Sequence, residues 1–146
     1  MLMTYISAPQ TVNTNDAIKF DINKIWTTAC IRHPSGSENT SLAKQGYYKI
    51  DFNASGASTI ATPPSATTFQ LYNGDKVVAG ALSTNFSNGI TEEVAFSFST
   101  VVPVNRSCNI TNGSAELTIK NIGQPINLSN ANLIITRLGE LNGSKI

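Results

Sequence analysis

The sequence predicts an all-β protein, a two-sheet antiparallel jelly-roll sandwich of about eight to ten strands. Three observations carry this. Apolar and polar residues alternate with period two in run after run, whereas the spacing of an amphipathic helix is hard to find anywhere. Turn residues separate these runs about every 10 to 15 residues, the rhythm of short strands in a sandwich or barrel. Asn, Ser and Thr supply 47 of the 146 residues, which suits turns, strand surfaces and contacts made without charge.

In chain order, Ala17 to Ile25 is the first expected strand, with Ile18, Phe20 and Ile22 on one face, and Trp26 to Arg32 follows it. His33 to Asn39, HPSGSEN, is a turn-rich loop. Gly46 to Ser55 alternates cleanly, placing Tyr48, Ile50, Phe52 and Ala54 on a core face and Tyr47, Lys49, Asp51 and Asn53 on the other. The SGASTIATPPSA segment reads as a surface loop, because Pro63 and Pro64 cannot donate to a strand ladder.

Thr67 to Tyr72 and Lys76 to Thr84 flank Asn73-Gly74-Asp75. Asn-Gly is a strong hairpin signal, since both residues tolerate positive φ. In Glu92 to Val102 the inward set is Val94, Phe96, Phe98, Thr100 and Val102, and the outward set is small: Ala95, Ser97, Ser99 and Val101. Cys108 to Thr111 is a short strand before the Asn112-Gly113 turn, and Ala115 to Ile122 puts Ala115, Leu117 and Ile119 on the core. Asn132 to Leu138 is apolar on both faces, Leu133 and Ile135 against Ile134, Thr136 and Leu138, as expected of a strand covered on both sides.

The length fits one domain with a self-sufficient core. We read residues 16–140 as the jelly roll, 1–15 as an N-terminal arm and 141–146 as a C-terminal tail. Charged residues are 13%, with ten basic against nine acidic, so no field able to grip nucleic acid or anionic lipid is expected. Lys and Arg are scattered singly, without the clustering that phosphate tracking needs. No apolar run approaches the ~18 residues of a membrane helix, and the N-terminus lacks the basic and apolar regions of a secretory signal. Neither nucleic-acid binding nor membrane insertion is expected. Without a secretory route, the eight N-x-[ST] matches follow from the Asn, Ser and Thr richness alone. Cys30 and Cys108 read as two buried thiols or, alternatively, as one disulfide.

No pattern announces chemistry. His33 has Glu38 and Asp51 as conceivable partners, yet reads as a surface-loop histidine. No cluster of His, Cys, Asp or Glu offers three or four convergent metal ligands, and Asp75 alone is weak support for a calcium site. Glu92 and Glu93 are adjacent, so on a strand they point to opposite faces and cannot share one substrate. No serine sits in a nucleophile elbow and no phosphate loop is present. No catalytic residue, cofactor or metal is therefore expected. Tyr47 and Tyr72, outward on their strands, read as interface anchors or as a carbohydrate platform.

Several segments in order, GYYKIDFNAS, FQLYNGDKVVAGA, EEVAFSFSTVV and NANLIITRLG, resemble the C1q/TNF-like jelly-roll domains of bacteriophage virion proteins and bacterial spore-surface filaments. The resemblance spans about Gly46 to Gly139. It implies a homotrimer, to which uncharged strand faces are suited because they desolvate at little cost. Tyr47, Tyr72, Ser97, Ser99, Ile134 and Leu138 are the expected subunit-interface residues. A chain that starts with Met and carries neither export signal nor stalk suits a virion component assembled in the host bacterial cytoplasm. The expectation is a capsid decoration or head-fibre protein, anchored on the phage capsid by an N-terminal arm with Tyr5, Ile6 and Val12. The alternative is a trimeric receptor-binding tip of a tail or collar fibre that contacts host-surface glycan through loops such as HPSGSEN.

Overall fold

Period-two alternation becomes strand along most of the chain. The computed structural model describes residues 1–27, 31–60, 65–105 and 115–139. Cys30, Cys108, the Pro63-Pro64 loop, the strand expected at Cys108 to Thr111 and the C-terminal tail lie outside the described residues. Eleven strands run through the described ones: β1 (Leu2–Tyr5), β2 (Gln10–Val12), β3 (Ile22–Trp26), β4 (Ile31–Arg32), β5 (Thr40–Leu42), β6 (Gly46–Ser58), β7 (Ser65–Asn73), β8 (Lys76–Ser87), β9 (Glu93–Val104), β10 (Ala115–Asn121) and β11 (Ile126–Gly139).

They form two antiparallel sheets. The first has the order β3-β1-β11-β6-β9, with β2 also paired to β11, and the second the order β4-β5-β10-β7-β8. The inner faces meet through phenylalanines. Phe52 on β6 lies 5.6 Å from Phe69 on β7 across the sandwich and 5.1 Å from Phe98 on β9, while Phe69 meets Phe96 edge-on at 5.0 Å. Tyr48, Ile50, Leu117, Ile119, Leu133 and Ile135 fill the space around them and are buried. The core faces read from sequence for β6, β9 and β10 are those the chain uses.

The N-terminus departs from expectation. Residues 1–15 are not an arm outside the domain: β1 lies between β11 and β3, with Leu2 opposite Ile135 and Trp26, and β2 pairs β11. Leu2, Ile6 and Val12 are buried in the core, so Ile6 and Val12 are structural, and only Tyr5 of the three expected anchoring residues is part-exposed. The physical reason is that this short segment alternates too, and its inward residues Leu2, Thr4 and Ile6 are buried against the core.

Two other segments are longer than expected. β6 continues three residues past Ser55, which takes the start of SGASTIATPPSA into the sheet. β11 begins at Ile126, its first half disguised by Asn127, Ser129 and Asn130. β11 bulges between Leu128 and Asn130, opposite Gly56. A Cβ on Gly56 would sit 2.4 Å from the Asn127 carbonyl oxygen, so only glycine fits that crossing.

The β7–β8 hairpin closes on Gly74-Asp75, with Asn73 opposite Lys76. Of the loop residues only Gly74 has a positive φ, 64°, the signature of a II′ rather than a I′ turn. Further on, β8 bulges between Val77 and Leu82. Gln70 fills this bulge: its Nε2 lies 2.9 Å from the Leu71 and Val78 oxygens and 3.1 Å from the Ala81 oxygen. A polar side chain on an outward register position is thereby buried and satisfied.

Candidate subunit interface

The outward face of the first sheet holds most of the residues singled out from sequence. Register places Ile25, Met3, Ile134, Asp51 and Ser99 in one row across β3, β1, β11, β6 and β9. The next row is Ile22, Tyr5, Asn132, Asn53 and Ser97. Apolar side chains therefore gather on β3, β1 and β11, and small polar ones on β6 and β9. Ile134 is half-buried, Leu138 is 56% exposed and Tyr47 is 42% exposed.

Charges on this face are absorbed locally. Asp51 accepts a hydrogen bond from Ser99 Oγ at 2.7 Å and lies 3.7 Å from Lys49 Nζ, and Glu93 accepts one from Ser129 Oγ at 2.8 Å. Such exposed pairs contribute little to stability, but they leave a face with few free charges to desolvate. Glu92 accepts hydrogen bonds from the backbone and side-chain nitrogens of Asn88, both at 3.1 Å, so each of the two adjacent glutamates secures a turn or strand contact.

Tyr47, Ser97, Ser99, Ile134 and Leu138 thus share one face, and Tyr72 does not. Tyr72 lies on the second sheet, where the Lys120 ammonium sits 4.9 Å from its ring centroid. The split was invisible because which sheet a strand joins is a long-range property.

Sequence reasoning missed a second exposed patch. Along the end of β8 the usual alternation is inverted: Ala81 and Ser87 are buried and Ser83 and Asn85 half-buried, while Leu82 and Phe86 point outward, Phe86 at 63% exposure. The signal was present as the outward row Leu82, Thr84, Phe86. The inward polar groups have a task, since β9 is an edge strand. Ser83 Oγ accepts from the Ser97 amide at 3.2 Å and Asn85 Nδ2 donates to the Ala95 carbonyl at 3.1 Å, covering part of an edge that would otherwise invite another strand.

His33 is not a surface histidine. Its side chain is fully buried, packed edge-on against Phe20 with centroids 6.3 Å apart. Its Nδ1 lies 2.7 Å from Asn23 Oδ1 and its Nε2 2.9 Å from the Ser37 carbonyl oxygen, so neither Glu38 nor Asp51 is its partner. Burial pushes it below the usual histidine range, with the Ser37 carbonyl opposing. Among the described residues no group of three or more His, Cys, Asp or Glu converges on a metal-sized site.

Two antiparallel sheets with this strand order, the first strand lying beside the last, define a C1q/TNF-like jelly roll. Solved structures share it over nearly their whole length. The Eiger TNF of S. frugiperda superposes with a TM-score of 0.63 at 11% identity, covering 97% of this chain and 94% of that one. The PRD1 vertex protein P5 gives 0.60 at 13%, covering 94% and 96%, and murine APRIL gives 0.55 at 5%, covering 91% and 98%. At such identities what is shared is the fold. By sequence the chain matches no protein family and no curated protein.

Proposed function

We propose that this protein is a non-enzymatic structural component of a bacteriophage virion that assembles as a homotrimer and acts as a capsid decoration or head-fibre protein. The observation that carries the reading is the outward face of the first sheet, part apolar and nearly free of unneutralised charge, on a fold shared with a phage vertex protein. A closed three-fold ring joins one patch of each subunit to a different patch of the next. This chain offers two unlike patches of that kind, the Met3, Ile25 and Ile134 face and the Leu82 and Phe86 row. Attachment to the capsid through the N-terminal segment falls to Tyr5 and the exposed Ser7, Ala8 and Pro9 that follow β1.

The solution mass tests the assembly. A species near three times 15.6 kDa supports it, and a monomer at micromolar concentration overturns it. Mass spectrometry of purified virions then separates a head from a tail location. A cleft of about 350 Å³ lined by polar and charged residues, Glu38 of HPSGSEN among them, favours a second reading, a receptor-binding tip on a tail or collar fibre, which binding of the trimer to host-surface glycan would support.

A further inference from the structure

A cleft of about 350 Å³ opens between β2 with the segment that follows it, the HPSGSEN loop and β10. Its lining includes two ammonium groups, Lys19 and Lys120, and two carboxylates, Asp16 and Glu38, with Ala17 the one apolar residue. None of the four is ion-paired with another, the ion pair among the described residues being Lys49 and Asp51. The lining therefore carries both signs of charge on residues that do not pair with one another.

The wall that carries them is built firmly. Asn15 N donates to the Asn121 carbonyl at 2.6 Å, Asn121 N donates to the Asp16 carbonyl at 2.9 Å, and Ala17 bridges Lys120. Gln10 clasps the backbone of Lys19 with both ends of its amide, accepting from Lys19 N at 3.0 Å and donating to Lys19 O at 2.9 Å. Asn15 is the one non-glycine residue described with a positive φ, 70°. It lies in the turn closed by the Asp16 N to Asn13 carbonyl hydrogen bond at 3.0 Å, a position asparagine tolerates. The side chain of Asn121 is buried behind the wall and donates to the Val12 and Gln124 carbonyls.

We infer that this cleft binds a small carboxylated sugar, of the uronic acid type. A lining whose one apolar residue is Ala17 offers little to an aliphatic or planar aromatic ligand. Divalent cations are disfavoured by two ammonium groups beside only two carboxylates. A nucleotide would want a stacking ring, and no aromatic residue lines the cleft. A sugar ring bearing one carboxylate matches both halves of the lining: Lys19 and Lys120 donate charge-assisted hydrogen bonds to the carboxylate, and Asp16 and Glu38 accept from ring hydroxyls. The volume is at the small end of ligand sites, right for a mono- or disaccharide. The biological role of this site rests on the receptor-binding reading; its chemistry rests on the cleft of a single protomer and stands whatever the oligomeric state.

The test is titration of the full chain with glucuronate, glucose and inorganic phosphate, followed by amide NMR. Glucuronate is expected to shift Asn15, Asp16, Lys19 and Lys120 saturably, with glucose and phosphate each much weaker. Lys19→Gln and Glu38→Gln, both at exposed positions and checked for an unchanged fold by circular dichroism, should each weaken glucuronate about tenfold. Three results would overturn the proposal: no saturable shift with glucuronate, equal shifts with phosphate, or shifts unaltered in both variants. A monomeric solution mass alongside glucuronate binding would remove the trimer and leave this site standing.

Discussion

The side chain of Asn23 holds His33 from two sides: Nδ2 donates to the His33 carbonyl oxygen at 2.6 Å and Oδ1 lies 2.7 Å from the ring Nδ1. The first bond fixes the amide's orientation, so the ring faces an oxygen at each nitrogen, Asn23 Oδ1 on one side and Ser37 O on the other. A neutral ring can donate to only one of them. Burial nonetheless favours the neutral form and lowers the histidine's affinity for a proton. The unfolded ring takes a proton near pH ~6.5 while the folded ring resists it. This contribution to stability is therefore complete above that pH and is lost as pH falls toward the folded value. Denaturation midpoints should drop between neutral and mildly acidic pH, and His33→Gln should flatten that drop. Stability that rises on acidification would show instead that the two oxygens hold an imidazolium. Asp21 acts lower on the scale: side-chain and backbone hydrogen bonds from Ser7 hold its carboxyl below the usual range, so its contribution is present above pH ~3.8 and is lost only as pH falls through its folded value.

Leu2 makes the N-terminus part of the fold. It is fully buried beside Ile135, and Leu2→Ala should cost about 2–5 kcal/mol, read as a shift in the urea midpoint. Deleting residues 1–12 removes β1 and β2, two of the three strands paired with β11, and should yield insoluble or molten protein. A deletion variant with an unchanged melting temperature and mass would restore the view of this segment as a detachable arm.

Gln70 bridges the β8 bulge, its two N–H hydrogens shared among the Leu71, Val78 and Ala81 carbonyl oxygens. Gln70→Leu leaves the Leu71, Val78 and Ala81 oxygens without their donor and should cost about 1–3 kcal/mol. Gln70→Glu should cost more, because a carboxylate among three carbonyls is repelled as well as unpaired. If both variants match the parent in chemical denaturation, water reaches the bulge as effectively as the amide does.

What could be read from sequence followed the range of the interaction. The core faces of β6, β9 and β10 are decided by each strand's own alternation, and the β7–β8 hairpin by Gly74, so these were legible. The short strands β1 and β2 were not, since three or four residues carry too little pattern and Ser7, Ala8 and Pro9 interrupt them. Burial of His33 depends on Asn23 and Ser37 closing around it, which no local rule foretells in a loop of turn residues. The outward face was legible one strand at a time, as small or apolar residues at alternate positions. Its assembly into rows, and the exile of Tyr72 to the other sheet, depend on strand order. The charged cleft joins residues from the segment after β2, Glu38 and Lys120, a juxtaposition that only the folded chain creates.

Tyr47 and Tyr48 offer the cleanest separation of interface from core, being adjacent on β6 and opposite in direction. Tyr48 is fully buried and its hydroxyl donates to the Lys44 carbonyl at 2.6 Å. Tyr48→Phe keeps the ring and loses that bond, so it should lower stability by about 0.5–1.5 kcal/mol without changing the oligomer. Tyr47 is exposed beside Pro103 and Gly139, and in an isolated subunit Tyr47→Asp should be almost neutral. At a subunit contact the same change buries an unpaired carboxylate, so the trimer should dissociate at concentrations where the parent remains assembled. Ile134→Asp, in the middle of the same face, should act in the same direction and more strongly. Sedimentation of the three variants decides the matter: if Tyr47→Asp and Ile134→Asp both remain trimers of parental affinity, the interface lies elsewhere, and the Leu82 and Phe86 row becomes the first place to look.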